Sequence, residues 1–94
     1  MCTISLAGIL SQNTDFTSAG ASFYDSINQA FAKSEKIVVD MQNVTSIPSI
    51  FLNVSIGKII EEFGSARLKR DMTFSRISKA QALRLQEYMK KFQD

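Results

Sequence analysis

The run Ile37-Val38-Val39 is the hardest constraint on what this chain can fold into. Consecutive β-branched residues lose side-chain freedom in a helix, and a run without polar alternation reads as a central strand buried on both faces. Asp40 ends it, Met41-Gln42-Asn43 turns the chain, and Val44 to Ile47 extends again. Pro48 then closes the extended segment, because the residue before a proline avoids helical backbone angles, while the proline's own fixed φ suits the first turn of a helix. A strand feeding a helix through Ser46-Ile47-Pro48-Ser49 leaves backbone N–H groups unpaired and a partial positive charge at the helix start. Side chains at such a joint face solvent, ligands or partners.

Wound onto a helix, Ile50 to Phe63 separates two apolar sets. Leu52, Ile56, Ile59, Ile60 and Phe63 share one narrow face, which is the face to pack on the sheet. Ile50, Phe51 and Val54 fall on the far side, continued by Lys58, Glu61 and Glu62. A helix resting on a sheet has no use for a second apolar patch, so these three are either covered by a loop or presented to a partner. Gly64 ends the helix.

Cys2 to Leu6 alternates as a half-buried strand, Ala7-Gly8 permits a turn, and Ile9-Leu10 reads as a short returning strand. Asn13, Thr14, Asp15 and Thr17 are candidate caps for a helix over 18–32, whose apolar stripe is Phe23, Ile27, Ala30 and Phe31. Gly20 in its first turn either is simply tolerated, at about 1 kcal/mol relative to alanine, or lets another element approach closely. Arg67 to Phe74 alternates again, with Arg70 on the apolar side marking an edge strand. Ser78-Lys79-Ala80-Gln81 has the S-x-x-Q form of a capping box and opens a last helix with Leu85, Tyr88, Met89 and Phe92 on its buried face. The expected architecture is α/β: one domain over 1–94, a small mixed sheet of three or four strands, and three helices.

Composition narrows the function. A chain that is 45% hydrophobic and 21% charged is globular rather than disordered. Cys2 is the single cysteine and histidine is absent, which removes an intrachain disulfide, a cysteine-cluster zinc site and every histidine-activated nucleophile. With no convincing pair of carboxylates either, the chain is not expected to be an enzyme, nor to hold a metal or cofactor. No basic leader precedes the apolar N-terminus, and no apolar run reaches the roughly 20 residues of a membrane helix, so a cytoplasmic protein is expected. The basic residues Arg67, Lys69, Arg70, Arg76, Lys79 and Arg84 are interspersed with acids and accompany no helix-turn-helix, phosphate loop or stacking platform. Nucleic acid therefore ranks well below protein as a partner.

The segments IVVDMQNVTSIPS, PSIFLNVSIGKIIEEFG and LKRDMTF resemble the bacterial STAS-like domain family of unknown function, related to STAS and anti-sigma factor antagonist domains. The resemblance runs from Phe16 onward and places Asp40, Leu52, Asn53 and Gly57, with Ser49 and Phe51, on the family's strand-turn-helix pattern. It implies a regulatory domain that binds another protein, with a kinase-like ATPase of the anti-sigma type as the class of partner. It also implies a phosphoacceptor serine at the helix start, which by position is Ser49. Pro48 stands where those antagonists carry Asp, and Ile50-Phe51 stand where they carry small residues, which departs from the usual kinase site.

Two residues have competing readings. Ser49 is either a switch hydroxyl, whose phosphate would suit the helix N-terminus and repel an acidic partner, or with Ser46 a simple helix cap. Asp40 either receives phosphate or a cation at the carboxyl end of a central strand, or orders the turn that follows it. The expected contact surface is Ser46, Ser49, Ile50, Phe51 and Val54 with Lys58 at its rim. The alternative is a nucleotide or other anion bound at the same helix N-terminus.

Overall fold

A computed structural model describes residues 1–92. Its element order is β1 (Cys2–Ser5), α1 (Leu6–Gln12), α2 (Phe16–Ala32), β2 (Ile37–Asp40), α3 (Ser49–Asn53), α4 (Ile56–Phe63), α5 (Ser65–Asp71), β3 (Met72–Ser75) and α6 (Lys79–Lys90). The strands form a sheet in the order β1-β2-β3, every pair parallel, with Ile4 opposite Val39 and Val39 opposite Phe74. The sheet is thus purely parallel rather than mixed, because each strand returns to the next through helices instead of a hairpin.

The run Ile37-Val38-Val39 is the central strand, as its composition requires, but only one of its faces is closed. Ile37 and Val39 are fully buried, whereas Val38 is half-buried in a row with the exposed Thr3 and Thr73. The core lies on the closed face, where Ile4, Val39 and Met72 meet Phe23, Ile27 and Phe31 of α2, Leu52 of α3, Ile56, Ile59 and Ile60 of α4, and Leu68 of α5.

Three expected elements differ. Ile9-Leu10 belongs to α1, which begins directly at the end of β1 because the Ser5 hydroxyl accepts from the Gly8 N–H at 3.2 Å and caps it. The stretch expected as a strand from Arg67 is helical up to Asp71, and only Met72–Ser75 is extended. Ser65 to Arg70 are mostly good helix formers, and Arg70 on the supposed apolar side was the sign that a period of two did not fit. The long helix over 50–63 is two helices, broken at Val54-Ser55, where Ser55 takes φ −125° and ψ −88° and its buried hydroxyl donates to the Phe51 carbonyl at 2.7 Å.

Other expectations hold. Asp15 caps α2, accepting from the Ser18 N–H at 2.7 Å. Gly64 ends α4 at φ +88°, a conformation that favours glycine. The capping box at α6 is complete, with Ser78 and Gln81 each accepting from the other's backbone N–H.

Candidate functional site

The break between α3 and α4 rearranges the surface expected there. Rotating α3 relative to α4 turns Phe51 inward, to 1% exposure, where its ring stacks on Phe23 of α2 at 5.7 Å between centroids. Gly20 permits this: a Cβ there would overlap Val54 Cγ2 and stand 2.9 Å from the Phe51 carbonyl oxygen. Gly20 is therefore the seat for α3 and not a tolerated lapse in α2. Phe51 leaves the contact surface and joins the core, Val54 is half-buried against α2, and Ile50 alone of the three stays exposed, at 53%.

The residues on the family pattern turn out to be fasteners. Leu52 is in the core. The Asn53 side-chain oxygen accepts from the Tyr88 hydroxyl at 2.8 Å, and a Cβ at Gly57 would stand 2.6 Å from that same hydroxyl, so both residues form the bed of α6. Asp40, at the carboxyl end of β2, accepts from the Gln42 N–H at 3.0 Å and is gripped by Arg76, whose Nε and Nη2 lie 3.1 and 2.5 Å from its two oxygens. The Gln42 N–H first and the Arg76 guanidinium second hold this carboxyl below the usual carboxylate range. Arg76 itself has φ +52°, so the pair pins a left-handed residue at the β3–α6 joint and orders the turn after β2.

Beyond that turn the chain crosses the carboxyl edge of the sheet, where open parallel sheets place their ligands and contacts. α6 holds it from one side: Gln81 donates to the Val44 carbonyl, and Arg84 donates through Nε to the Ile47 carbonyl at 2.7 Å and through Nη2 to the Ser49 hydroxyl at 3.0 Å. With both carbonyls fastened, Thr45 and Ser46 project as an exposed ridge between two clefts. One, of about 440 Å³, lies against the α1–α2 joint and is lined by Leu10, Asn13 and Phe16. The other, of about 310 Å³, lies against Ala80 and Arg84 of α6.

Ser46 and Ser49 are exposed, as expected, yet neither caps α3: Pro48 is the cap residue and no side chain bonds there. Lys58 is exposed but leans toward the Tyr24 ring of α2, 5.7 Å from its centroid, so it belongs to the α2–α4 seam. The structure adds Phe16, 42% exposed, and Arg84 to the surface. Phe16 was legible in principle, since it directly follows the cap Asp15 and so starts a helix with its side chain outside the amphipathic stripe. Arg84 carried no such signal; nothing in the sequence ties a cation on the polar face of α6 to a serine on α3.

No match was found among curated proteins or among solved structures. Residues 19–82 match a family described as a STAS-like domain of unknown function (DUF4325), a span that runs from within α2 to the start of α6 and contains the turn with Thr45 and Ser46, while Leu10, Asn13 and Phe16 of one cleft and Arg84 of the other lie outside it. The chain therefore belongs to the STAS-like domain family of unknown function, DUF4325.

Proposed function

We propose that this domain is a non-catalytic regulatory module that docks another protein through the ridge at Thr45 and Ser46, with Ser49, Ile50, Phe16 and Arg84 around it. The observation that carries the reading is the pair of exposed apolar side chains, Phe16 and Ile50, beside a projecting, anchored turn with a cleft on each side. An exposed aromatic ring lining a cleft, with a second exposed apolar side chain just past the anchored turn, fits a protein contact better than a solvated loop. A kinase-like ATPase of the anti-sigma type is the partner class to test first, and a cytoplasmic setting accords with it.

Ser49 gives the surface a means of control. Its hydroxyl is exposed and already meets the Arg84 guanidinium. A phosphate there, with a charge of about −1.5 to −2, would form a charge-assisted pair with Arg84 and draw it from the Ile47 carbonyl, loosening the ridge. The second reading, a nucleotide or anion at the same place, also draws on Arg84. It is the weaker one, because α3 has five residues and hence little dipole, and Arg84 is already engaged.

The test is capture of partners on immobilised wild type, Ile50→Asp and Phe16→Asp, each checked for folding by circular dichroism. Loss of the same partner with both folded variants supports docking at the ridge. Partners retained equally by all three refute it, and a nucleotide-dependent rise in melting temperature, about 2.7 kcal/mol of stabilisation at a hundredfold excess over Kd, would favour the anion instead.

A further inference from the structure

A second surface lies on another side of the molecule, at the outer edge of β1. The Cys2 N–H donates inward to the Lys36 carbonyl at 2.8 Å. Alternation along the strand therefore aims the Thr3 N–H and C=O outward, and no described element pairs with them. Edge strands are ordinarily blunted by charge, proline or a bulge, and Cys2-Thr3-Ile4-Ser5 has none of these. Short length is its one protection. Along this edge runs a groove of about 380 Å³, floored by β1 and walled by Gly8 and Ile9 of α1, by Ser26 and Gln29 of α2 and by Lys33 directly after α2.

We propose that a second copy of the chain fills this groove, the two β1 strands pairing antiparallel about a two-fold axis so that both sheets become one. Because outward-pointing residues alternate, the axis passes through Thr3 or through Ile4. Either register leaves Thr3 and Ser5 on the open face and adds Cys2 and Ile4 of the second copy to the closed one.

The charge pattern of α2 selects a second copy over an extended segment of another protein. α2 runs antiparallel to β1, since it carries the chain from the carboxyl edge of the sheet back to the start of β2. The same two-fold axis thus sets α2 beside its own copy, head to tail. Asp25 and Lys33 are both exposed and lie four residues to either side of Gln29, in the middle of the groove. Pairing about Gln29 places Asp25 of each copy against Lys33 of the other, twice, with no like charges opposed. Ser22 and Ser26, on the same side of α2, are small enough for the helices to approach. A lone peptide strand would make no use of this arrangement.

Sedimentation equilibrium of the 94-residue chain tests the proposal. The expected particle has twice the 10.5 kDa chain mass at high concentration and dissociates on dilution. Thr3→Pro removes an outward donor that the monomer does not use, so the dissociation constant should rise about tenfold or more while circular dichroism stays that of the folded chain. Lys33→Asp, at the exposed end of α2, should weaken the dimer several-fold, and Asp25→Lys added to it should restore wild-type association. A chain that is monomeric throughout, a dimer that survives Thr3→Pro, or a dimer indifferent to the charge reversal overturns the proposal.

Discussion

Gly20→Ala sets helix propensity against packing, and the two give opposite signs. Propensity alone favours alanine by about 1 kcal/mol, since Gly20 lies inside α2. The new methyl, however, would overlap Val54 Cγ2 and come within 2.9 Å of the Phe51 carbonyl oxygen. Val54 is β-branched and has few rotamers to retreat to, and the carbonyl belongs to the backbone of α3, so neither neighbour yields cheaply. Overpacking costs about 1–3 kcal/mol, and two simultaneous overlaps put this site near the upper end. Subtracting the propensity gain leaves a net loss of about 2 kcal/mol. For a domain of this size the melting temperature should fall by about 10 °C, and the urea midpoint should drop with an unchanged slope. Val54→Ala removes one of the two overlaps, so in the Gly20→Ala background it should cost about 1 kcal/mol less than in wild type. Gly20→Ala at or above wild-type stability, or the two substitutions simply adding, would refute the close approach of α3 to α2.

Neighbouring residues should part company in the same assay: Phe51→Ala, which empties a core position stacked on Phe23, should cost about 3–5 kcal/mol, whereas Ile50→Ala should stay within about 0.5 kcal/mol. Asp40 has a pKa lowered by folding, so its contribution is present above the unfolded carboxylate value near pH 4 and is lost as pH falls through its folded value. Asp40→Asn should accordingly flatten the acid limb of a stability-against-pH curve, and an unchanged acid limb would remove Asp40 as a contributor. Ser78→Ala removes half of the α6 capping box and should cost about 1 kcal/mol in urea titration.

Local rules were legible wherever a short segment settles its own conformation. Ile37-Val38-Val39 announced a strand, Asp15 and Ser78 announced helix starts, and Gly64 announced a helix end. Family membership was legible too, through segments whose apolar spacing is itself a record of the fold. Two of the misreadings share a cause: each extended one period across a boundary where the chain changes direction. A single helical wheel over 50–63 placed Phe51 outside, but a wheel presumes one axis, and Ser55 breaks that axis by bonding back to Phe51. A period of two placed a strand from Arg67, where α5 turns Leu68 inward by helical geometry.

For the candidate site the division is similar. Ser46 and Ser49 are exposed, as polar residues of a strand-turn-helix joint are expected to be, whereas the far-side apolar set Ile50, Phe51 and Val54 could be read either as covered or as presented, and only Ile50 is exposed. The companions of that joint, Phe16 and Arg84, arrive from α2 and α6, thirty or more residues away on either side.

Pattern and chemistry along the chain settle the strand at Ile37–Asp40, the caps at Asp15 and Ser78, the helix end at Gly64, and the exclusion of histidine- and cysteine-cluster chemistry, since these depend on residues close in sequence or on residues simply being absent from it. Which apolar face is core, whether a serine caps or meets an arginine, and which sheet edge is left open all depend on pairs far apart in the chain. Packing and hydrogen bonding between distant segments decide them, and those energies are written in no local window of sequence.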